Sequence, residues 1–528
     1  MSNSSDASNE QNGPLPTLEL PNGSLITQEA ALDTDKNIVQ EVRHVEATKA
    51  FYRRLWAERD VMSALVKHHI GLGDQFDCFI APQHQWIRGN FNVCLPVNVR
   101  SPGSSYKLIL RCAMPHKLAE AHKPGSMDEK MDCEVGAYAW IQEKCPDIRI
   151  PHLYGFGFSD QRHFTHEAHR PLYIRMLHGL RRLYHTLVRR PILLSRYTRH
   201  AAQYRFPTAY MLLEDVGSDS SQMLSSTWNK HRMDPVRRRN LFQGISRLML
   251  SLSRVPQPRI GSFQFRDDGT ITLTNRPLLC SFMILENEGS PAAMQRETTY
   301  ESIEPFMADL FNFHDMRFLS HPNMVFDDKD CRGEMAARLL LRMLAHRYVR
   351  QDRRNGPFIL QLDDFHSSNI FVDTEWNITA LIDLEWICAL PIERLSVPHW
   401  LTNCAIDEIR EERWDEFNRA REEFMNIFEA EERKVKRQDG LLSEAMRDTW
   451  TSGGVWFWQG MMSINAMSTL FTDHICPRFS TPLSFENEQL LSRFWSEDAA
   501  EVVTNKVKQY DDYTAEVRAL FEKNTLSP

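Results

Sequence analysis

Asp363, Asp364, Asn369 and Asp383 fall within one short stretch, residues 358–386, which reads F-I-L-Q-L-D-D-F-H-S-S-N-I-F-V-D-T-E-W-N-I-T-A-L-I-D-L-E-W. An apolar strand, Phe358-Ile359-Leu360, runs into a polar loop holding Asp363, Asp364 and Asn369. A second strand, Ile370-Phe371-Val372, leads to a turn over Asp373 to Asn377, and a third, Ile378 to Ile382, ends on Asp383. Such a unit gathers carboxylates and an amide at strand ends. Phosphoryl transfer calls for that set: a carboxylate beside the attacking hydroxyl, and oxygen ligands for Mg²⁺ on a triphosphate.

The spacing Asp364-x-x-x-x-Asn369, followed by a strand-terminal Asp, matches the catalytic loop and metal-binding Asp of kinases. In its strand–loop–strand–turn–strand setting, the stretch resembles the aminoglycoside phosphotransferase/choline kinase-like family of the protein kinase-like superfamily, in its fungal branch. Those proteins carry a block of the form L-x-H-G-D-x-H-x-x-N-I-x-V-D … I-x-x-I-I-D-W-E-W. The resemblance implies ATP and Mg²⁺ as cofactors, Asp364 as the catalytic residue, and Asn369 and Asp383 as metal ligands. Two positions depart from the pattern: Leu362 stands at the family's His and Asp363 at its Gly. That His orders the loop, so its replacement bears on activity more than on fold. Asp363 beside Asp364 sets two like charges together, which raises the pKa of one of them.

The elements that position this loop begin upstream. Phe91, Val93, Leu95, Val97 and Val99 alternate with Asn92, Cys94, Pro96 and Asn98, the period of a half-buried strand. Gly89-Asn90 is the turn before it, where a missing side chain lets backbone N–H groups approach phosphate oxygens; the family keeps a short G-x-F-N loop here. Lys107 to Cys112 is the next strand. Arg111 takes the phosphate-contacting position of a kinase strand, and Lys107, on the same face, is the other candidate; either is otherwise a snorkelling edge cation. Ser126-Met-Asp-Glu129 reads as a capping box opening a helix. Glu134 lies inside that helix's apolar stripe and needs a cation, which Arg111 would supply. After the strand Ala209 to Leu213, the resemblance implies a hinge whose backbone near Glu214 and Val216 would hold an adenine edge.

The resulting expectation is an α+β, two-lobed, protein-kinase-like fold. Residues 1–37 read as a disordered tail, 38–215 as a β-rich nucleotide-binding lobe, and 216–528 as a mostly helical lobe carrying the catalytic loop and metal site. The activity expected is transfer of the γ-phosphoryl group of ATP to a hydroxyl of a small-molecule acceptor. The alternative is a pseudokinase-like binding or interaction protein, motivated by Leu362, Asp363 and a glycine-poor loop.

At 528 residues the chain exceeds one compact core. A net charge of −8 gives no whole-chain attraction to nucleic acid. The ten cysteines form no C-x-x-C pair, and no apolar run reaches the roughly 20 residues of a membrane span. A cytoplasmic protein without a transmembrane segment is expected. Residues 159–205 interrupt the family pattern as an arginine-rich insertion with helical apolar spacing, which points to an acidic partner, an anionic surface or a phosphorylated substrate. His163, His166 and His169, three apart, would share a helix face, without the Cys or carboxylate set that usually completes a metal site.

Overall fold

The computed structural model describes residues 16–71, 76–101, 104–188, 192–200, 205–435 and 440–525. Two helices, α1 (Ile38–Ala57) and α2 (Arg59–Ile70), precede an antiparallel sheet. Its strands are β1 (Asp77–Ile80), β2 (Ile87–Arg88), β3 (Asn92–Ser101), β4 (Ser104–Ala113), β5 (Leu153–Gly157), β6 (His163–His166), β7 (Tyr197–His200) and β8 (Tyr210–Glu214). The spatial order is β7-β6-β5-β8-β4-β3-β1, with β2 also paired to β3. Helix α3 (Ser126–Lys144) links β4 to β5, and α4 (Leu172–Leu187) belongs to the insertion.

Strand periodicity decides what each face of the sheet meets. On β3 and β4, Val93, Leu95, Val97, Leu108, Leu110 and Cys112 pack with Phe51, Leu55, Met62 and Leu65 of α1 and α2. Residues of the other parity, Arg111 and Ala113, therefore face α3. Pro96 tolerates its place in β3 because its carbonyl points at Ala81, in the break between β1 and β2, where no N–H is required of it.

Helix α3 starts differently from the sequence expectation. Gly125, at φ +83°, occupies the cap position, and Ser126 donates to the Leu118 carbonyl. The carboxylate of Glu120 accepts the N–H groups of Gly125 and Met127, so a distant glutamate caps the helix and no capping box forms. Glu129, freed from that role, meets Arg276.

After β8 the chain enters the helical lobe through α5 (Leu224–His231) and α6 (Pro235–Leu252). A hairpin, β9 (Ser262–Phe265) and β10 (Thr270–Asn275), docks on α3, where Trp140 stacks on Phe263 at 5.3 Å. Gly136 permits this approach: a Cβ there would lie 2.9 Å from that of Phe263. Arg276, fully buried, bridges Glu129 of α3 and Glu286 of α7 (Cys280–Asn287). The hairpin thus braces the helix that carries Glu134. Helices α8 (Ile303–Ser320) and α9 (Asp328–Leu344) lead to β11 (Phe358–Leu362), β12 (Ile370–Val372), β13 (Ile378–Leu381) and β14 (Ile387–Pro391). β11 pairs with β14 and β12 with β13.

Within residues 449–471, which are dense in Trp, Met and Phe, Trp456, Phe457, Trp458 and Met461 are buried in the helical lobe. The expectation of a disordered tail over 1–37 needs correction where it can be compared. Thr17–Glu19 pairs with Leu25–Thr27, Gln28–Leu32 is helical, and Leu18 and Ala31 pack on Tyr513, Val517 and Phe521 of the last helix, Ala499–Thr525. The apolar residues between the polar ones were too few to show a period, yet they suffice to cover one stripe of a long helix. Residues 1–15 lie outside the described residues. The described residues form an α+β fold, a β-rich lobe followed by a mostly helical one, and no described helix is long and apolar enough to cross a membrane.

Candidate active site

Arg111, on the α3-facing side of β4, is buried and reaches three carboxylates. Its Nη1 donates to Glu134 Oε1; its Nη2 donates to Asp383 Oδ1 at 2.6 Å and to Glu385 Oε2 at 2.9 Å. The strand–helix pair expected from sequence forms, and the same guanidinium also clasps the residue expected to hold metal.

Three participants escaped the sequence reading. Lys130, one turn before Glu134, lies 3.1 Å from Glu134 Oε2 and 2.5 Å from Glu385 Oε2. Glu385 stands two residues past Asp383 and is buried. Asn92, the first residue of β3, donates to Glu385 Oε2 at 2.8 Å. The i, i+4 spacing of Lys130 and Glu134 was the available signal, hidden because a lysine in an apolar stripe reads as a snorkelling edge. Two cations therefore face three carboxylates.

Burial, then Glu385 and Glu134, push Asp383 upward against the pull of Arg111. Burial also acts to raise Glu385, but Lys130 and Arg111 outweigh it and hold Glu385 below its ordinary value. Asp383 adopts φ +61°, a left-handed conformation unusual for a residue with a side chain, which turns its carboxylate toward Arg111.

Asp364 and Asn369 join this cluster through the backbone. Asn369 Nδ2 donates to the Asp364 carbonyl at 2.7 Å, and the Asn369 carbonyl accepts from Ile382 N–H at 2.9 Å. The loop between β11 and β12 is thereby tied to the strand end that carries Asp383, leaving Asn369 Oδ1 as the side-chain oxygen that can take a cation. The Asp364 carboxyl is pushed up to about 7 by burial first, then by Asp383, Asp363 and Glu385. Asp363 acts on its neighbour while itself paired, with Arg394 Nη2 holding its Oδ1 at 2.7 Å. Arg394 thus anchors the loop at Asp363, while Leu362 packs against the main core.

The turn before β3 is anchored across the cleft. Gly89 N–H is occupied by the Asn92 carbonyl at 2.9 Å, and a Cβ at Gly89 would sit 3.3 Å from that oxygen. Asn90 is exposed at the tip, and Phe91 meets the Trp386 ring edge-on at 5.0 Å. Lys107 lies on the same face of β4 as Arg111 but about 13 Å further along the strand, and it is exposed. At the inter-lobe connection, the Glu214 side chain accepts from Arg149 and from His152 N–H, and the Glu214 N–H donates to the His152 carbonyl. Val216, two residues on, is half-buried.

The histidines resolve differently from the spacing argument. Residues 163–166 form a strand, so His163 and His166 point to opposite faces, and His163 Nδ1 contacts the Tyr210 hydroxyl. A 3₁₀ turn folds His169 back beside His166, and His152, just before the adjacent strand β5, completes that group.

No family model matches the sequence, and a search of curated proteins finds no match. Among solved structures, the chain is similar to the Plasmodium vivax ethanolamine kinase Pv091845 at 12% identity and a TM-score of 0.34, over 82% of this chain and 82% of that one.

Proposed function

We propose that this chain is an ATP-dependent phosphotransferase acting on a hydroxyl of a small molecule, akin to the aminoglycoside phosphotransferase/choline kinase-like enzymes. The docking of the Asp364–Asn369 loop on the strand end of Asp383, beside the Arg111–Glu134 pair, is the observation that supports it. A carboxyl near neutrality at Asp364 suits proton acceptance from an attacking alcohol, because a general base works best with a pKa near the working pH.

The donor set around Asp383 is made of oxygens alone, which fits a hard cation such as Mg²⁺. Asn369 and Asp383 would hold it, and the bound ion would neutralise charge on the triphosphate. Glu134 and Glu385 fix the Arg111 guanidinium, which in turn orients Asp383. Phe91, against the Trp386 ring, and Asn92, on Glu385, brace one side of this cluster.

A second reading is nucleotide binding without turnover. One observation favours it: Asp383 is already engaged by Arg111, and a cation must compete with that ion pair. Two assays separate the readings. A rise in melting temperature with Mg-ATP reports binding. ATP consumption across sugars, amino alcohols and aminoglycosides reports turnover, and Asp364→Ala should lower it by about 10²–10⁴-fold. Turnover unchanged in that variant overturns the catalytic assignment, and no turnover with any acceptor favours the binder.

A further inference from the structure

Helix α4 is mounted inside out. At 100° per residue, Leu172, Met176, Leu177, Leu180, Leu183 and Leu187 fall within an arc of about 140°. All six are turned to solvent, with 54 to 72% of each exposed. The polar side faces the protein instead. His178 is buried with its Nε2 2.9 Å from the Ser195 carbonyl, and Arg182 donates to Glu143 at 2.9 Å and to Glu167 at 3.2 Å.

A helix on a water-facing surface ordinarily buries its apolar stripe. Here ion pairs hold it, and a cavity of about 740 Å³, lined by Trp140, Glu143, Arg182, His185, Thr186 and Leu273, lies beneath. Apolar contact with its own lobe therefore does not explain the leucines. A contiguous patch of this kind marks an interaction surface.

Charge identifies what the surface fits. Residues 168–213 contain nine arginines and no Asp or Glu, within a chain whose net charge is −8. Arg175 and Arg181 are exposed beside the leucine face, Arg181 with Asp268 3.5 Å away. A second copy docked on this face would bring two arginine-bearing, acid-free helices together, which like-charge repulsion opposes. An anionic lipid surface offers both parts of the match, acyl chains for the leucines and headgroup phosphates for the arginines.

We propose that α4 is an interfacial helix by which this chain docks on membranes rich in anionic lipid. The apolar face enters the headgroup–acyl boundary while the His178 hydrogen bond and the Arg182 ion pairs keep the helix fixed to the β-rich lobe. This proposal stands apart from the phosphotransferase reading, since none of its residues lies at the Asp364 site.

Flotation of the full chain with vesicles tests it. Binding to phosphatidylcholine vesicles containing about 30% phosphatidylserine should exceed binding to phosphatidylcholine alone by about tenfold or more. The exposed-face variant Leu177→Ser/Leu180→Ser/Leu187→Ser should lose that binding by at least about tenfold with its melting temperature unchanged. Arg175→Glu should weaken it on anionic vesicles only. Wild-type protein that floats with neither vesicle overturns the proposal, as does a triple variant that binds as well as wild type. A dimer that the triple variant dissolves, without vesicle binding by wild type, assigns the face to a second copy instead.

Discussion

Replacing Lys130 by Met tests the electrostatic heart of the cleft. The side chain is 1% exposed, and its ammonium lies between Glu134 and Glu385. Met fills similar volume but leaves Arg111 alone among three carboxylates. Breaking a buried pair from one side costs about 3–5 kcal/mol, because the remaining charge stays desolvated. For a cooperative unit of about 150–250 residues, near the size of the β-rich lobe, each kcal/mol corresponds to about 2–4 °C, so melting should fall by about 6–20 °C. The dependence on pH has a definite sign. Despite burial, Lys130 and Arg111 hold Glu385 below its ordinary value of 4.5. In wild type that stabilisation is present above 4.5 and is lost as pH falls through the lower folded value. Without Lys130 burial dominates, so a penalty develops as pH rises above 4.5. Calorimetry of both proteins should therefore show a gap that widens from about pH 5 to about pH 8. Adding Glu385→Gln to the variant should recover at least about 1 kcal/mol, since the two residues share one interaction. A loss under about 1 kcal/mol, or a gap that ignores pH, refutes the reasoning.

Two further outcomes follow from the same geometry. Asp364 titrates near 7 and Asp383 is also raised, so both carboxyls take up protons as pH falls through neutrality. Because their folded values exceed 3.8, ionising them destabilises the cation-free protein as pH rises. The melting-temperature gain from Mg²⁺ should accordingly be larger at about pH 8 than at about pH 6, and a gain independent of pH would sink this assignment. Gly136→Ala should lower the melting temperature: the new Cβ would sit 2.9 Å from Phe263 Cβ and 3.3 Å from its carbonyl carbon. Overpacking against that strand costs about 1–3 kcal/mol, more than the helix-propensity gain of about 1 kcal/mol in its most crowded form. A variant that melts higher than wild type would mean the hairpin can step away from α3.

Local periodicity determined more than its modest signal suggests. The alternation in Phe91 to Val99 and Lys107 to Cys112 fixes which side chains of β3 and β4 face α3, and this brings Arg111 to Glu134. The Asp364–Asn369–Asp383 spacing was legible because the loop and its two strands are consecutive in the chain, so short-range geometry alone holds them together. Partners distant in sequence were not legible. Glu120 in place of a capping box, Arg276 between Glu129 and Glu286, Arg394 on Asp363, and Lys130 with Asn92 on Glu385 each depend on where separate elements come to rest. The histidines make the same point, since a spacing of three has one meaning on a helix and another on a strand that ends in a turn. The sequence also encoded an amphipathic helix at Leu172–Leu187 but was silent on its direction. Only the packed structure, through ion pairs made by its polar side, decided that the leucines point outward. Periodicity sets which side chains share a face, whereas long-range contacts choose which way that face is turned.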